Sequence, residues 1–380
     1  MEFRTIDDGH SHRRDMWVDE KTNVAHLYVL DLPMRIGDAV IRMAGIGDVY
    51  TEREHRMKGY MRVLYDDTLT YMTEQGYDVS MLFGIPDFYT KFGYAVCLPQ
   101  CTFTIKTRDA EAAAELITTR EPRPIGEDDM GAVLALYAQD NAGRTGTLVR
   151  PAERFTTFGK GTYWGVRAET ALWEDANGEF LGYAVWDKRP TEVKVAEVGA
   201  WNPKLFPTLL RTMAAQAVEK RCEEITFYLP PGHAFAEFAQ RFGITWQITY
   251  PRHSDGMMRI LNQPPLFEKL LPVLNGRLAA RPGVTLPDAL ALETELGVTT
   301  LAFEGERVGL GHAAEAEVRL SLSQDKLMQL AMGYRSARDL LSAEDVRVSG
   351  AVSSGKETLL PVLEVLFPKG LPFVWTADHF

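Results

Sequence analysis

The stretch "REHRMKGYMRVLYDDTLTYM", residues 53–72, places basic side chains and one glycine directly ahead of an amphipathic helix. Its apolar residues recur at helical spacing, and Gly76 stands where this helix is expected to stop. Upstream, residues 24–31 and 38–47 have the pattern of strands, and the chain is expected to stay extended to residue 51. This order of strand, glycine-bearing loop and helix predicts an α/β fold.

The start of the predicted helix has the features of an anion-binding site. Helix N-termini present unpaired N–H groups and a partial positive charge, and both attract anions. Gly59 allows a phosphate to approach the backbone closely, while Arg56 and Lys58 add charged hydrogen-bond donors. The sequence therefore predicts a pyrophosphate cradle, and the alternative is a solvated basic turn that contains a glycine.

The chain after this helix continues with strands and an aromatic cluster. Residues 78–84, "DVSMLFG", predict a buried strand, "DFYTKFG" predicts a short helix, and residues 94–105 predict one long strand. The polar segment 118–130 carries two prolines and predicts a domain boundary.

The middle third contains an echo of the first. Residues 227–246, "FYLPPGHAFAEFAQRFGITW", parallel residues 81–96, "MLFGIPDFYTKFGYAV", because both run from a strand through proline and a short aromatic helix to Phe-Gly and a strand. The helix before the second copy begins with "WNPKLFPTLLRTMAAQA", residues 201–217, which has no glycine and no basic cluster. The pattern predicts a duplicated fold whose second copy has lost its ligand loop.

The last third differs from the two copies. Residues 283–311 predict strands turned by glycines and charged pairs, and two short helices are expected after them. The chain ends in "LFPKGLPFVWTADHF", and a segment so rich in Phe, Trp and Pro is expected to be buried.

Length, charge and cysteine content limit the number of domains, the kind of partner and the compartment that the sequence predicts. With 380 residues, two or three domains are expected, and a net charge of -11 argues against a nucleic-acid binder that works by bulk charge. The acidic balance favours a cationic or amine substrate, although solubility accounts for it equally well. Three scattered cysteines, a polar start and the lack of a long apolar run predict a cytoplasmic protein without a membrane span.

These motifs, in this order, resemble the GNAT acyltransferase superfamily. "GDVYTEREHRMKGYMRVLYDDTL" looks like its acyl-CoA loop, and "DFYTKFGY" looks like its FYxxFGY element. The arrangement over nearly the whole chain is similar to the Eis-like (enhanced intracellular survival) branch. That resemblance implies two tandem GNAT-type mixed-sheet domains, at residues 1–122 and a degenerate one at 123–257, followed by a sterol-carrier-protein-like α+β domain at 258–380.

The resemblance implies that acetyl-CoA is the cosubstrate. By position, one strand would bond the pantetheine arm through its backbone, the loop and helix start would wrap the pyrophosphate, and the end of the next strand would flank the thioester. These implied cofactor-binding residues are Val49, Tyr50 and Thr51; Arg56, Met57, Lys58, Gly59, Tyr60, Met61 and Arg62; and Gly84 and Ile85.

The resemblance also implies a catalytic pair. Tyr89 matches the general acid that protonates the leaving thiolate, and Tyr94 is a nearby rival expected to pack instead. In the Eis-like branch the C-terminal carboxylate removes the amine proton, directly or through water, and here it belongs to Phe380. His379 is an alternative base, and Asp378 is placed to orient a cationic acceptor.

Two departures from the family pattern bear on the acceptor and the loop. Fewer than thirty residues precede "AHLYVLD", so the helices that wall the acceptor site in the family are expected to be shortened or absent. The loop continues Gly59-Tyr60-Met61, where Gly-x-Gly or Gly-x-Ala is usual.

Two functions follow as competing hypotheses. The first is an N-acetyltransferase that acetylates a primary amine of a small acceptor, cationic like a polyamine or an aminoglycoside, in a homo-oligomer such as the hexamers of the branch. The second is a non-catalytic protein that binds acyl-CoA or lipid through its C-terminal domain. No metal is expected: "GHSH", residues 9–12, is interpreted as a mobile polar N-terminus, and "CLPQC", residues 97–101, has the wrong spacing for a metal site. "GKGTYWG", residues 159–165, lacks the features of a nucleotide loop.

Overall fold

The computed structural model describes residues 1–9, 11–113, 119–312, 316, 318–350 and 355–380. His10 and Thr118, which belong to two of the predicted segments, lie outside these ranges. Over the described residues the chain forms three mixed sheets with helices packed against them, as expected of an α/β (α+β) protein. Within the same ranges, no helix has the length and apolar character needed to cross a bilayer.

The elements have the following bounds. The strands are β1 (Glu2–Asp7), β2 (Ser11–Trp17), β3 (Asn23–Ile36), β4 (Ala39–Thr51), β5 (Val79–Gly84), β6 (Ala95–Val96), β7 (Gln100–Lys106), β8 (Ala168–Glu174), β9 (Phe180–Asp187), β10 (Lys194–Ala200), β11 (Glu224–Phe227), β12 (Ile244–Thr249), β13 (Asp255–Ile260), β14 (Ala289–Thr294), β15 (Gly297–Glu304), β16 (Arg307–Gly311), β17 (Val318–Ser321) and β18 (Arg347–Gly350). The helices are α1 (Tyr60–Glu74), α2 (Thr107–Ala110), α3 (Met130–Asp140), α4 (Phe206–Glu219), α5 (Ala234–Ala239), α6 (Gln263–Ala279), α7 (Gln324–Ala331), α8 (Ala337–Ser342) and α9 (Lys356–Leu366).

The first two sheets repeat one strand order and exchange a strand. The first sheet runs β1-β2-β3-β4-β5-β13-β6, and the second runs β12-β7-β11-β10-β9-β8. Each contains one parallel pair, β4 with β5 and β10 with β11. Beside that pair each sheet takes a strand from the other half of the chain: β13 lies between β5 and β6, and β7 lies between β11 and β12.

The exchange corrects the strand predicted over residues 94–105. The chain forms the two-residue β6, leaves the first sheet around Pro99, and re-enters as β7 in the second sheet. Proline has no N–H to give to a ladder, so a break beside it is physically reasonable. The second sheet therefore includes β7, which precedes the boundary expected at residue 122. The first sheet includes β13, which extends past the boundary expected at residue 257.

The N-terminal segment is also ordered differently from the expectation. Ser11 and His12 begin β2, which is paired residue by residue with β1 and β3, so the interpretation of this stretch as a mobile tail was wrong. Arg14 anchors the hairpin to α1, because its guanidinium pairs with Asp67 and lies 4.5 Å from the centroid of the Tyr71 ring. In the described ranges 1–9 and 11–22, strands stand where the family has helices.

The third sheet, β16-β15-β14-β17-β18, is joined to the first by packing. One continuous apolar core includes residues of both, and α6 contacts β4 on one side and β15 and β16 on the other. The aromatic C-terminal segment is buried as predicted: Phe373 and Trp375 lie in the core of the second sheet, and the Trp375 indole donates to Asn141 Oδ1 at 2.8 Å. The chain thus ends against the other two sheets.

Candidate active site

The candidate site begins where β4 and β5 part. Their parallel pairing ends at Ile46 and Leu82, although β4 stays paired with β3 as far as Thr51. A bulge shifts the register in this last part of β4, where Asp48 has a φ of 45°. The edge of β4 that faces away from β3 therefore keeps open N–H and C=O groups, which an extended ligand arm can bond like an added strand.

The predicted loop and helix start lie directly after this edge. Met57 and Gly59 have φ values of 62° and 81°, so the chain turns sharply before α1 begins at Tyr60. No side chain among the described residues caps the helix, which leaves its first N–H groups facing outward. The side chains of Arg56, Lys58 and Arg62 are exposed and form no ion pair over the described ranges, and Arg56 Nε donates to the Thr51 carbonyl at 3.1 Å.

The second copy has no such loop. There a single turn, Pro203–Leu205, leads into α4, and Asn202 Oδ1 accepts a hydrogen bond from the Lys204 N–H at 3.0 Å. Leu205 and Phe206 are buried at this helix start. Among the described residues, the start of α4 is therefore capped and partly buried, whereas the start of α1 is uncapped.

Tyr89 lies against the end of β5. A Cβ at Gly84 would stand 2.6 Å from Cδ2 of Tyr89, so the phenol ring occupies the space that only glycine leaves open. Burial, together with the neighbouring Tyr94, raises the pKa of Tyr89 to about 12. Its hydroxyl makes no hydrogen bond within the part of the chain that the structure describes, whereas the Tyr94 hydroxyl donates to Ser80 Oγ at 2.7 Å in the core. The predicted helix around Tyr89 is only one turn, Thr90–Phe92.

The C-terminal residue reaches the same place from the other side. The Phe380 ring lies on Gly45, where a Cβ would stand 2.7 Å from its Cζ atom. A Cβ at Gly47 would stand 3.6 Å from the Phe380 carboxyl carbon. The His379 ring stacks on Phe83 with 3.8 Å between centroids. The terminal carboxyl group therefore lies on β4 immediately after the point where β4 and β5 separate.

A buried ion network in the second sheet holds the terminus. Arg150 Nε donates to Asp378 Oδ1 at 2.7 Å, and its two terminal nitrogens donate to Glu197 at 2.8 and 2.6 Å. The hydroxyls of Tyr137 and Tyr183 donate to Asp378 and Glu197 at 3.1 and 2.6 Å. Sequence reasoning missed this network, because no local pattern relates residues so far apart in the chain.

One further contact fixes the residue before the terminus. Lys160 Nζ donates to the His379 carbonyl. Burial and the Lys160 ammonium lower the pKa of His379 to about 3, so its imidazole is neutral and weakly basic at physiological pH. A cavity of about 460 Å³ adjoins this region and includes Phe83, Lys160 and His379 in its lining.

No metal site accompanies these groups. Across the described ranges, no cluster of three or more His, Cys, Asp and Glu side chains is placed to hold a metal ion. The groups that the structure places here are a phenol, a carboxyl group and a strand edge beside an uncapped helix start.

The chain is similar to known proteins in part of its sequence and in its fold. Residues 9–97 match the family described as "Acetyltransferase (GNAT) domain", and no curated protein matches the sequence. The chain has the fold of several solved structures at low identity. A GCN5-related N-acetyltransferase from Kribbella flavida shares 20% identity over 98% of this chain and 88% of that one, with a TM-score of 0.70.

Two more solved structures match over nearly the full length. A probable N-acyltransferase from Enterococcus faecalis shares 18% identity over 98% of this chain and 90% of that one, with a TM-score of 0.74. Eis1 from Mycobacterium abscessus shares 16% identity over 99% of this chain and 91% of that one, with a TM-score of 0.62. Residues 9–97 therefore match a GNAT acetyltransferase domain, and the chain as a whole has the fold of these solved structures.

Proposed function

We propose that the protein transfers an acetyl group from acetyl-CoA to the primary amine of a small acceptor by direct attack. The observation that carries the proposal is that the Tyr89 side chain and the Phe380 carboxyl group both lie where β4 and β5 separate. Tyr89 lies on Gly84 at the end of β5, and the Phe380 carboxyl group lies beside Gly47 on β4. An acid and a base on either side of one opening suit a reaction that moves two protons.

Acetyl-CoA fits the neighbouring surface. The open edge of Val49, Tyr50 and Thr51 suits the pantetheine amides, and the loop and helix start from Arg56 to Arg62 suit the pyrophosphate. The thioester would then lie near Gly84 and Ile85, within reach of the Tyr89 side chain. These assignments combine the family resemblance with the open donors and unpaired cations described above.

In the proposed reaction the amine nitrogen attacks the thioester carbon. The N–C bond forms, the C–S bond breaks, the amine proton passes to the carboxylate, and the sulfur takes a proton from the phenol. A Tyr89 pKa of about 12 keeps the phenol protonated at neutral pH and leaves it a weak acid. Its unengaged hydroxyl is free to turn towards the sulfur.

The Phe380 carboxylate is the proposed base. His379 is the alternative base, but its ring is stacked on Phe83, and burial and Lys160 lower its pKa to about 3, so it binds a proton no more readily than an ordinary terminal carboxylate. A water molecule between the amine and the carboxylate remains compatible with this role, since a carboxylate oxygen accepts from either donor.

We also propose the finer family assignment. The repeated strand order of the first two sheets supports a tandem, Eis-like arrangement with a degenerate second domain. The third sheet, with α6 to α9, is proposed as the sterol-carrier-like domain. A homo-oligomer is proposed from the resemblance alone, and light scattering of the purified chain measures it.

Extending the C-terminus tests the proposed function. One added glycine moves the carboxylate beyond Phe380, and we expect the turnover number to fall by about 10²–10⁴-fold, the range typical of a general base. The affinity for acetyl-CoA, measured by calorimetry, should stay unchanged. Phe380→Leu is the companion variant, because it changes the ring but keeps a carboxylate at residue 380, and its loss of turnover should be smaller than that of the extended chain.

Two outcomes would contradict the proposal. Full turnover of the extended chain removes the terminal carboxylate from the mechanism. Binding of CoA without release of free thiol, for any amine in a broad panel, favours the non-catalytic acyl-CoA or lipid binder instead.

A further inference from the structure

The cavity beside the candidate active site lies between the first and second sheets. Phe83 on β5 and His379 at the chain end belong to its lining, so it borders the proposed transfer point. The loop at residues 159–165, "GKGTYWG", supplies Lys160 and two aromatic side chains, and the end of β9 supplies Asp187 and Arg189. A space of about 460 Å³ suits a small molecule.

Two cations face this cavity without full compensation. Lys160 Nζ donates to a carbonyl and lies 3.6 Å from the centroid of the Trp164 ring, and no carboxylate in the described ranges forms an ion pair with it. The nearest carboxylate to Arg189 is Asp187, with 3.9 Å between Nε and Oδ2. That carboxylate is already engaged by Thr162, whose N–H and hydroxyl donate at 2.6 and 2.7 Å.

Two polar atoms in the same lining make no hydrogen bond within the described part of the chain, although one of them, Arg189 Nε, has the Asp187 carboxylate at 3.9 Å. Arg189 Nε and Thr376 Oγ1 are buried and make no hydrogen bond to any residue that the structure describes. Buried polar groups are nearly always hydrogen-bonded, so these two donors are available to a group that enters the cavity. The third cation of the lining, Lys194, is paired with Glu192 at 2.7 Å. Lys160, Arg189 and Thr376 are therefore the donors left for an anionic group.

The carboxyl groups come from the first sheet and the chain end. Asp255 lines the cavity and is paired in register with Gly84, the residue at the end of β5. Its side chain accepts from Ser254 Oγ at 3.1 Å and forms no ion pair within the described part of the chain. The Phe380 carboxyl group lies near the same end of the sheet, on Gly47. An ammonium group would thus find the Asp255 carboxylate on the side of the first sheet, whereas the side of the second sheet carries Lys160, Arg189 and Lys194 against the one carboxylate of Asp187.

Exposed aromatic rings complete the lining. Tyr163 is 67% exposed and Trp164 is 53% exposed, although both belong to the loop that borders the cavity. Flat aromatic surfaces that are open to solvent favour an acceptor with an apolar or aromatic body.

We propose that this cavity is the acceptor site and that the acceptor is a small amine that also carries an anionic group. Its amine points to Asp255 and the Phe380 carboxylate, and its anionic group binds Lys160, Arg189 and Thr376. The inference rests on the proposed function and narrows its substrate class from amines in general to zwitterions. Polycations are disfavoured, because juxtaposed like charges are repulsive.

Matched acceptors test this inference with the full-length protein. Thiol release is measured for phenylalanine against phenethylamine and for O-phosphoethanolamine against ethanolamine, so that the two arms distinguish a carboxylate from a phosphate. In at least one pair we expect kcat/KM to be 10-fold or more higher for the anionic member. Equal kcat/KM values within both pairs, or a higher kcat/KM for spermidine, would overturn the inference. The proposed acetyltransferase activity would not be affected by that result.

A variant series locates the anionic group. Arg189→Gln should lower kcat/KM for the preferred acceptor with an anionic group about 10-fold, mainly through KM. It should also reduce that acceptor's advantage over the matched amine that lacks the anionic group. Lys188→Met is the control, because Lys188 is exposed and does not line the cavity. An unchanged preference in Arg189→Gln contradicts the assignment.

Direct binding separates failure of the inference from failure of the proposed function. Calorimetry of phenylalanine and O-phosphoethanolamine with the protein, without acetyl-CoA, needs no turnover. Binding that Arg189→Gln weakens supports the cavity assignment even if no amine is acetylated. Acetylation of amines together with no binding, and no preference for the anionic members, overturns it.

Discussion

Three glycines determine which groups can reach the parting of β4 and β5. Gly84 makes room for the Tyr89 ring, Gly45 makes room for the Phe380 ring, and Gly47 lies under the Phe380 carboxyl group. Any larger residue at Gly45 or Gly84 would place a Cβ less than 3.0 Å from an aromatic ring atom. The absence of a side chain at these positions is thus what allows the Tyr89 ring and the Phe380 carboxyl group, the proposed acid and base, to lie at the same opening.

Gly45→Ala should displace the chain end. The new Cβ would meet the Phe380 ring at 2.7 Å, so we expect a fall in the turnover number of 10-fold or more with unchanged affinity for acetyl-CoA. Gly131→Ala in α3 is the control, because its Cβ meets no described atom within 4 Å and alanine favours a helix. Equal turnover of the two variants would show that the ring position does not matter.

Tyr89→Phe removes the proposed acid and keeps the packing. We expect the turnover number to fall by about 10²–10⁴-fold with little change in the KM for acetyl-CoA. Tyr94→Phe is the matched control: it removes the bond to Ser80 and should cost about 1 kcal/mol of stability with little loss of turnover. The reverse result, with Tyr94→Phe inactive and Tyr89→Phe active, would assign the acid to Tyr94.

Asp140 predicts a pH-dependent stability difference. Burial raises its pKa to about 6, so the native state binds a proton more tightly than an unfolded chain with a pKa near 3.8. The wild type therefore loses stability relative to Asp140→Asn as the pH rises from about 4 to 6. The urea concentration at the midpoint of unfolding should be higher for Asp140→Asn than for the wild type at pH 7.5. The difference should shrink as the pH is lowered towards 4. A less stable variant at pH 7.5 contradicts this sign.

At the scale of elements, the loop before α1 combines a backbone turn with open donors. Gly59 has a φ of 81°, and a Cβ there would meet nothing within 4 Å among the described residues. Substitution therefore strains the backbone and places a side chain over the predicted anion site, without disturbing a core. The element is exposed on one side and held to the sheet by the buried face of α1.

Gly59→Ala should weaken acetyl-CoA binding by about 10-fold or more and leave the other elements folded. Gly283→Ala is the control, because it has a φ of 88° and equal free space, and it lies outside the predicted loop. Both variants place alanine at a positive φ and so strain the backbone in the same way. A difference between their affinities for CoA, measured by calorimetry, therefore reports the contribution of the loop. Equal affinities would place the diphosphate elsewhere.

At the scale of the whole molecule, all three sheets contribute to one site. The first sheet supplies the opening between β4 and β5. The segment that follows α9 supplies the C-terminal residue, and the second sheet supplies the ion network that holds Asp378. The second sheet thereby holds the end of the chain, because Arg150 links Asp378 to Glu197 on β10. Its buried Arg150 neutralises two carboxylates that would otherwise be costly to bury.

Arg150→Met should uncouple the second sheet from the site. Removal of one partner of a buried ion pair costs about 3–5 kcal/mol, so Arg150→Lys is the milder companion if Arg150→Met does not fold. Both should lower the turnover number and keep the affinity for acetyl-CoA. The effect should also be non-additive with the added C-terminal glycine, since both changes act on the same carboxylate. Full additivity would mean that Arg150 acts on stability alone.

The sequence alone determined the local elements around the site. The strands that became β3, β4 and β5, the helix α1, its glycine-bearing start and the burial of the aromatic chain end all follow from periodicity and composition over short stretches. The roles assigned to Tyr89, Phe380 and the loop residues remain predictions, although the elements that carry them lie where the pattern placed them.

Only the tertiary structure decided how distant parts of the chain combine. The exchange of β7 and β13 between sheets, the 228-residue separation that Arg150 and Asp378 bridge, and the cavity under Trp164 depend on contacts that no local pattern encodes. The physical reason is that helical and strand periodicity records which face of an element is buried, whereas its partner is selected by packing and charge across the whole fold.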